Sequence, residues 1–255
     1  QDTFTQCHTT LRLHMHLWKE CSMLERMWLI FFTVSYVLLY GFGQINLLTT
    51  ATAFMGSICM FLGAKAKISN FYPGAIYTLL YAWQCYLFDF KTVLYLHLMF
   101  HFPLQFVGWH YWRKNRVCMN TMQEDIVVRQ LFPHGWIAVL LSLILASTFF
   151  AQIVLSMGEG KPELDILAFI FSIAAQLLMI GRFIESWVAW LCLNVFNIGL
   201  WTYTAITVTP TYSIAYMWLI FMGNCAYGCY RWVQIGKKQT LLYVGPYCKL
   251  PVNKN

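Results

Sequence analysis

The stretch GRFIESWVAWLCLNVFNIGLW, positions 181 to 201, is apolar and long enough to cross a lipid bilayer, yet it carries several polar and aromatic residues. Four of them follow one another at steps of three, four and three residues, so a helix brings their side chains onto one face. These residues are Trp187, Trp190, Asn194 and Asn197. Because asparagine is costly in hydrocarbon, such residues usually face a bundle interior or a polar pathway. We therefore predict a membrane helix whose polar face lines a protein interior.

The composition extends this interpretation to the whole chain. Of the 255 residues, 59% are hydrophobic and 11% are charged, whereas soluble domains contain about 25% charged residues. Apolar windows predict an all-α membrane protein with eight transmembrane helices. The predicted spans are 26–45, 48–64, 71–88, 92–112, 134–156, 165–181, 184–206 and 210–233. Residues 1–25 and 234–255 are predicted to be tails outside the membrane.

The basic residues are distributed unevenly between the two predicted membrane surfaces. If the spans alternate, 15 of the 17 Lys and Arg residues lie on one side, and only Lys91 and Lys161 lie on the other. The positive-inside rule then places both tails in the cytoplasm. The net charge of +7 therefore indicates membrane orientation, and we expect no nucleic-acid partner.

Two parts of the chain share one layout. Residues 48–112 and 165–233 each contain an apolar helix, a basic turn, a helix with polar and aromatic residues, and a helix closing on Gly-x-x-x-Trp. The closing motifs correspond at an offset of 120 and the earlier helices at an offset near 116. Four helices separate the two starts, so we predict parallel three-helix repeats joined by a linker helix at 134–156. The span at 26–45 is then an extra N-terminal helix.

Carriers built from such repeats bind their substrate between them, near the middle of the membrane. Other polar residues on predicted spans are therefore candidates for the same site. Interhelical packing would also explain them, because an amide that hydrogen-bonds across two helices stabilises their contact by roughly 1 kcal/mol. On helix 71–88, Tyr81 and Gln84 share a face with Tyr77. On helix 92–112, Gln105 shares a face with His97 and His101. The additional candidates are Tyr81, Gln84, Gln105, Asn224 and Tyr227.

The sequence gives little support for catalysis. His97 and His101 have a spacing that can bind one metal ion, but a membrane di-iron enzyme requires several more histidine clusters than seven histidines supply. A phosphate-binding Gly-x-x-x-x-Gly-Lys-Ser/Thr loop is lacking, and so is an acidic residue in the middle of a predicted span. We expect no metal, no cofactor and no enzymatic activity. Passive transport is the simplest hypothesis.

Four segments resemble the PnuC family of bacterial nicotinamide riboside transporters. They are KISNFYPG at 67–74, PLQFVGWHYW at 103–112, PELD at 162–165 and RFIESWVAWLCLNVFN at 182–197. The Glu-Ser-Trp-x-x-Trp-x-x-x-Asn pattern is the most specific of them. It assigns Trp187, Trp190 and Asn194 to the substrate site, with Asn197 one turn further.

The resemblance implies a SWEET-like 3+1+3 fold with an added N-terminal helix, assembled as a homotrimer in the bacterial inner membrane. It also implies facilitated diffusion of nicotinamide riboside, made unidirectional when a cytosolic riboside kinase phosphorylates the vitamin. The substrate is a pyridinium cation, and indole faces attract cations by approximately 0.5–2 kcal/mol. Amides can satisfy its carboxamide and hydroxyl groups. A phosphate would need Lys or Arg inside the membrane, so we expect the mononucleotide to be excluded.

Three alternatives remain open at this point. A thiamin carrier of the same family would also bind a flat ring cation. A SWEET-like sugar carrier would need fewer deep tryptophans. A membrane enzyme or receptor would need a nucleophile–base pair or an output domain, which the sequence does not reveal.

Overall fold

A computed structural model of the chain describes residues 21–115, 126–132, 134–137, 139, 141–142, 145, 162–207 and 212–244. All regular secondary structure in these ranges is helical, so the predicted all-α class is confirmed. The chain divides into two compact units, Gln1–Asn46 and Leu47–Asn255.

The first unit contains helix α1, Met23–Gly41. The helix begins earlier than the predicted residue 26 because Ser22 and Glu25 form a capping box. The Ser22 amide donates to Glu25 Oε2 at 2.6 Å, and the Glu25 amide donates to Ser22 Oγ at 3.3 Å. After α1, Gly43 adopts a left-handed φ of 67°, which favours glycine and explains why the helix stops short of the predicted residue 45.

The second unit contains six helices in the described ranges. They are α2 (Leu47–Ala64), α3 (Phe71–Leu87), α4 (Lys91–Leu96, His97–His101 and Phe102–Lys114), α5 (Pro162–Ile180), α6 (Ser186–Thr207) and α7 (Tyr212–Val244). Helix α7 continues well beyond its predicted end at 233. The predicted linker helix at 134–156 lies mostly outside the described residues, although residues 134–137, 139, 141–142 and 145 are helical. The count of eight helices therefore stays a prediction.

Helix α4 contains a π-helical turn at His97–His101 that the sequence pattern does not predict. Pro103 follows this turn, and because proline has no backbone N–H, the regular hydrogen-bond ladder cannot continue through it. The π-helical turn leaves His97 and His101 buried, as is Gln105 one turn later. Such turns are frequently found at functional sites.

Three helices of the described ranges, α1, α2 and α6, have the length and hydropathy to cross a bilayer. A shorter apolar helix segment covers Phe169–Ile180 in α5. The remaining long helices carry polar residues that are buried in the protein, among them His101 and Asn224, and these residues lower the hydropathy of α4 and α7. The apolar helices support a multi-pass membrane protein.

Two fully buried tryptophans, one on α4 and one on α7, donate hydrogen bonds to carbonyls at the ends of other helices. Trp112 Nε1 donates to the Met179 carbonyl of α5 at 3.1 Å. Trp232 Nε1 donates to the Gly63 carbonyl of α2 at 2.9 Å. The two donors are 120 positions apart and the two acceptors are 116 positions apart, which are the offsets found in the sequence. We call these four residues the indole brace.

Further contacts around the indole brace are also duplicated at these offsets. The Phe71 ring meets Trp112 edge-on with centroids 5.0 Å apart, and Trp187 meets Trp232 edge-on at 5.7 Å. Just after α2 and α5, two non-glycine residues adopt left-handed backbone conformations. They are Ala66 (φ 53°) and Arg182 (φ 66°).

Residues 126–132 form a short segment that is joined to other residues of the second unit by several contacts. Arg129 and Phe183 form an isolated parallel bridge. The Gln239 side chain, on the extension of α7, accepts from one backbone amide of the segment at 3.0 Å and donates to one of its carbonyls at 3.1 Å. The two backbone partners are Val128 and Ile126, whose side chains join the buried core around Trp112 and Trp232.

A glycine-to-alanine pair tests the close packing of α6 against α7. A Cβ at Gly228 would lie 2.5 Å from the Trp187 ring, whereas a Cβ at Gly199 meets nothing within 4 Å. We expect Gly228→Ala to lower the thermal unfolding temperature in detergent, because overpacking costs about 1–3 kcal/mol. Gly199→Ala should leave it unchanged or raise it, since alanine favours a helix by about 1 kcal/mol. Equal unfolding temperatures in a thermal-shift assay would contradict this packing.

Candidate functional site

Helices α2 to α7 enclose a cavity of about 100 Å³, several times the roughly 10–15 Å³ that one water molecule requires. Among the described residues that line it, none is Lys, Arg, Asp or Glu. The aromatic lining residues are Phe71, Tyr77, Tyr81, Phe169, Trp187, Trp190, Trp218 and Phe221. The polar ones are Asn70, Thr78, His97, His101, Gln105, Ser172, Gln176 and Asn197. The site is thus uncharged, aromatic and rich in neutral hydrogen-bonding groups.

The structure brings together five of the nine residues predicted for the site. Trp187, Trp190 and Asn197 reach the cavity from α6, Tyr81 from α3 and Gln105 from α4. Helical spacing on separate spans was therefore sufficient to group these residues. Their role in binding stays a prediction.

The other four predicted residues lie outside the cavity lining. Asn194 is buried between α6 and α7, where its Nδ2 donates to the Trp190 carbonyl at 2.7 Å and lies 3.2 Å from Cys225 Sγ. Gln84 Nε2 donates to Thr49 Oγ1 of α2 at 3.0 Å. The remaining two lie on α7. Asn224 is fully buried, and Tyr227 stacks on Phe61 of α2 with ring centroids 6.2 Å apart.

Asn194 nevertheless has unused hydrogen-bonding capacity. Its Oδ1 is buried and has no partner among the described residues, and the same holds for Gln84 Oε1. Orphaned acceptors of this kind are rare in folded proteins. Because Asn194 donates to the carbonyl of Trp190, it is placed to fix the helix turn that carries this indole.

The aromatic part of the cavity is ordered by ring contacts and one hydrogen bond. Tyr77 and Tyr81 stack with centroids 5.7 Å apart and an interplanar angle of 15°. The Tyr81 hydroxyl accepts a hydrogen bond from Trp201 Nε1 at 3.1 Å, which fixes the ring. The indole nitrogens of Trp187 and Trp218 are buried without a partner in the described part of the chain, so two donors remain available.

Sequence reasoning missed the contribution of α5. Ser172 and Gln176 line the cavity and are both buried. Their spacing of four residues on an apolar helix is the signal that could have identified them. His101, which we placed on one face with Gln105 and weighed as a metal ligand, contacts Ser172 through a hydrogen bond between its Nε2 and the serine Oγ.

Comparisons with known proteins identify the family. The nicotinamide mononucleotide transporter family matches residues 46–234. A nicotinamide riboside transporter PnuC of Neisseria mucosa is 28% identical, covering 85% of this chain and 83% of its own. One of Haemophilus influenzae is 30% identical, covering 84% and 91%. A crystal structure of the vitamin B3 transporter PnuC superposes with a TM-score of 0.79 at 28% identity, covering 86% of this chain and 94% of its own.

The family match covers well over half of the chain, and the relatives match it over most of their own length. The structural neighbour shares the fold over 86% of this chain. The chain therefore belongs to the nicotinamide mononucleotide transporter family, and it is a membrane transporter and not an enzyme.

Proposed function

We propose that this protein carries nicotinamide riboside across the bacterial inner membrane by facilitated diffusion. The observation that carries the proposal is the aromatic cavity among helices α2 to α7, whose described lining residues carry no charge. It occurs in a chain whose relatives are named nicotinamide riboside transporters.

The cavity suits a pyridinium cation without requiring an acidic counter-ion. Trp190, Tyr77 and Phe221 contribute π faces to it, and each face can attract a cation by about 0.5–2 kcal/mol, most strongly when water is excluded. Gln105 and Asn197 offer both donors and acceptors to the substrate's carboxamide. A neutral site of this kind holds the cation by polarity and shape, and it can release the cation without separating an ion pair.

The absence of charge from the lining argues against a phosphorylated substrate. A phosphate transferred into the cavity would lose its water shell, and no Lys or Arg of the lining would replace it. Burying an unpaired ion costs several kcal/mol even after relaxation. We therefore infer that the riboside is carried and the mononucleotide is not, although the family bears the mononucleotide's name.

We further propose that the helices form two parallel three-helix repeats, in the SWEET-like 3+1+3 arrangement with one extra N-terminal helix. The indole brace and its duplicated ring contacts, at offsets of 120 and 116, support this arrangement. The cavity draws lining residues from both predicted repeats, 48–112 and 165–233. Rocking of one repeat against the other would open it alternately to the two sides.

Several features of the proposal rest on sequence and family resemblance. The concentration of 15 of the 17 basic residues on one side supports cytoplasmic tails. The homotrimer, the surrounding lipid and the coupling to a cytosolic riboside kinase follow from the resemblance. Phosphorylation by that kinase would trap the vitamin inside the cell, since the cavity does not suit a phosphate.

A ligand panel tests the substrate assignment. We expect isothermal titration calorimetry of the purified protein to detect nicotinamide riboside, with no binding of nicotinamide mononucleotide, thiamin or riboflavin at the same concentrations. Vesicles containing the protein should take up radiolabelled riboside without an ion gradient. Binding of thiamin in place of the riboside would reassign the substrate, and uptake of the mononucleotide would refute the phosphate argument.

A pair of tryptophan variants tests the aromatic contribution. Trp190 lines the cavity, whereas Trp83 is 55% exposed on α3. We expect Trp190→Ala to weaken riboside binding by about 5- to 30-fold, the equivalent of one cation–π contact of roughly 1–2 kcal/mol. Trp83→Ala should bind as the unmodified protein does. Undiminished binding by Trp190→Ala would show that the cation is held elsewhere.

Asn194 gives a third test, which separates its effect on transport from its effect on folding. We expect Asn194→Ala to abolish riboside uptake while the protein elutes as a folded species on size-exclusion chromatography. The physical reason is that its amide fixes the Trp190 turn and has a buried acceptor without a partner. Unimpaired uptake by the folded variant would remove Asn194 from the site.

A further inference from the structure

Three buried polar side chains lie at the cavity where α4 meets α5. His101 Nε2 is hydrogen-bonded to Ser172 Oγ, and Gln176 follows Ser172 by one turn of α5. All three line the cavity, and they are only 4%, 4% and 5% exposed. We call them the His-Ser-Gln group. Polar side chains of this kind are seldom buried in a membrane protein unless they serve a function.

The counterpart positions in the other half of the chain are apolar. At the offsets of 120 and 116 defined by the indole brace, His101 corresponds to Phe221, Ser172 to Gly56 and Gln176 to Met60. These counterparts also line the cavity. Gly56 and Phe221 also pack against each other, because a Cβ at Gly56 would overlap the Phe221 ring. One interface therefore carries a histidine against a serine where its counterpart carries a phenylalanine against a glycine.

This difference makes one side of the cavity polar and the opposite side apolar. A substrate with a planar aromatic end and a hydroxylated end can place the hydroxyls at the α4–α5 interface and keep the ring among the aromatic side chains. The His101 ring lies beside Trp190, with centroids 6.4 Å apart and planes inclined by 35°, so the two ends of such a substrate would meet adjacent groups. Placing hydroxyls at the opposite interface would leave them without partners, which is costly in a buried site.

We propose that the His-Ser-Gln group is the subsite that recognises the vicinal hydroxyls of the substrate's sugar and so selects a riboside over its base. The inference rests on the proposed function, since it names how that substrate is distinguished. A serine hydroxyl has one donor and two acceptor positions, an imidazole has one of each, and a glutamine amide has both. After their mutual contacts, these groups can still exchange hydrogen bonds with two adjacent hydroxyls. They specify the sugar and do not carry the charge of the ring.

The test compares nicotinamide riboside with 1-methylnicotinamide, a cation with the same ring and no sugar. The unmodified protein should bind the riboside at least 10-fold more tightly than the methyl cation. The double variant His101→Phe/Ser172→Gly copies the counterpart positions, and the glycine provides the space that the phenylalanine needs, as Gly56 does for Phe221. Gln176→Met copies the third position without a change in backbone freedom.

We expect the double variant to reduce the preference for the riboside by about 10- to 100-fold, because a site built to bind hydroxyls loses most of its discrimination when those partners are removed. Its affinity for the methyl cation should stay within about 3-fold, since Trp190, Tyr77 and Phe221 are retained. Gln176→Met should show a smaller loss in the same direction. His110→Phe makes the same chemical change at an exposed position of α4 and should keep the full preference.

The outcomes separate the two proposals. If the unmodified protein binds neither ligand, the proposed function fails. If it binds the riboside but Gln176→Met and the double variant both keep the preference, the subsite is refuted and the proposed function stands. An equal loss for both ligands also refutes the subsite, because it indicates general damage to the cavity. If the double variant does not fold, Gln176→Met decides between these results.

Discussion

The indole brace is the interaction on which the arrangement of the second unit depends. Trp112 and Trp232 each donate to a carbonyl at the end of a helix from the opposite half of the chain, in addition to the hydrogen bond that this carbonyl accepts from a backbone amide. Because both indoles are fully buried and lie 6.0 Å apart, they form a common contact between the two halves. If the two halves separated, both buried indole N–H groups would lose these acceptors in a water-poor interior. The cavity borders the same core, since Trp187 belongs to both.

Neutrality is the second constraint that governs the site. A charged lining would bind a cation more strongly, but it would also need a stable counter-charge in the empty protein. Aromatic faces avoid that need, and they hold a pyridinium ring with a strength suited to release. Binding by aromatic faces alone has low specificity, because many flat cations fit aromatic surroundings. The neutral hydrogen-bonding groups of α4 and α5 are therefore the natural place for selection among them.

Helical periodicity was enough to predict most of the described helices and to group five candidate residues at the cavity, for physical reasons visible at individual residues. Trp187, Trp190 and Asn197 share a face by spacing alone, and that face lines the cavity. Asn194 lies on the same stripe, but its Nδ2 contacts Cys225 Sγ outside the cavity lining. This contact depends on how α6 and α7 pack. The residues Ser22 and Glu25 identify the start of α1 as a capping box. Its end is set by the left-handed Gly43 that follows, which hydropathy does not detect. Contacts across helices, such as the one between His101 and Ser172, cannot be read from one helix at a time.

The π-helical turn in α4 has a consequence for the polar residues on either side of it. His97, His101 and Gln105 are spaced by four, and in a uniform α-helix a repeat of four drifts gradually around the axis. A wider turn between the two histidines offsets part of that drift, so the three side chains remain aligned with one wall of the cavity. The widened turn thus keeps the later residues of α4 in register with their neighbours. Deleting one residue there would leave the helix just as hydrophobic, but it would rotate the side chains from Gln105 to Trp112 away from their present contacts.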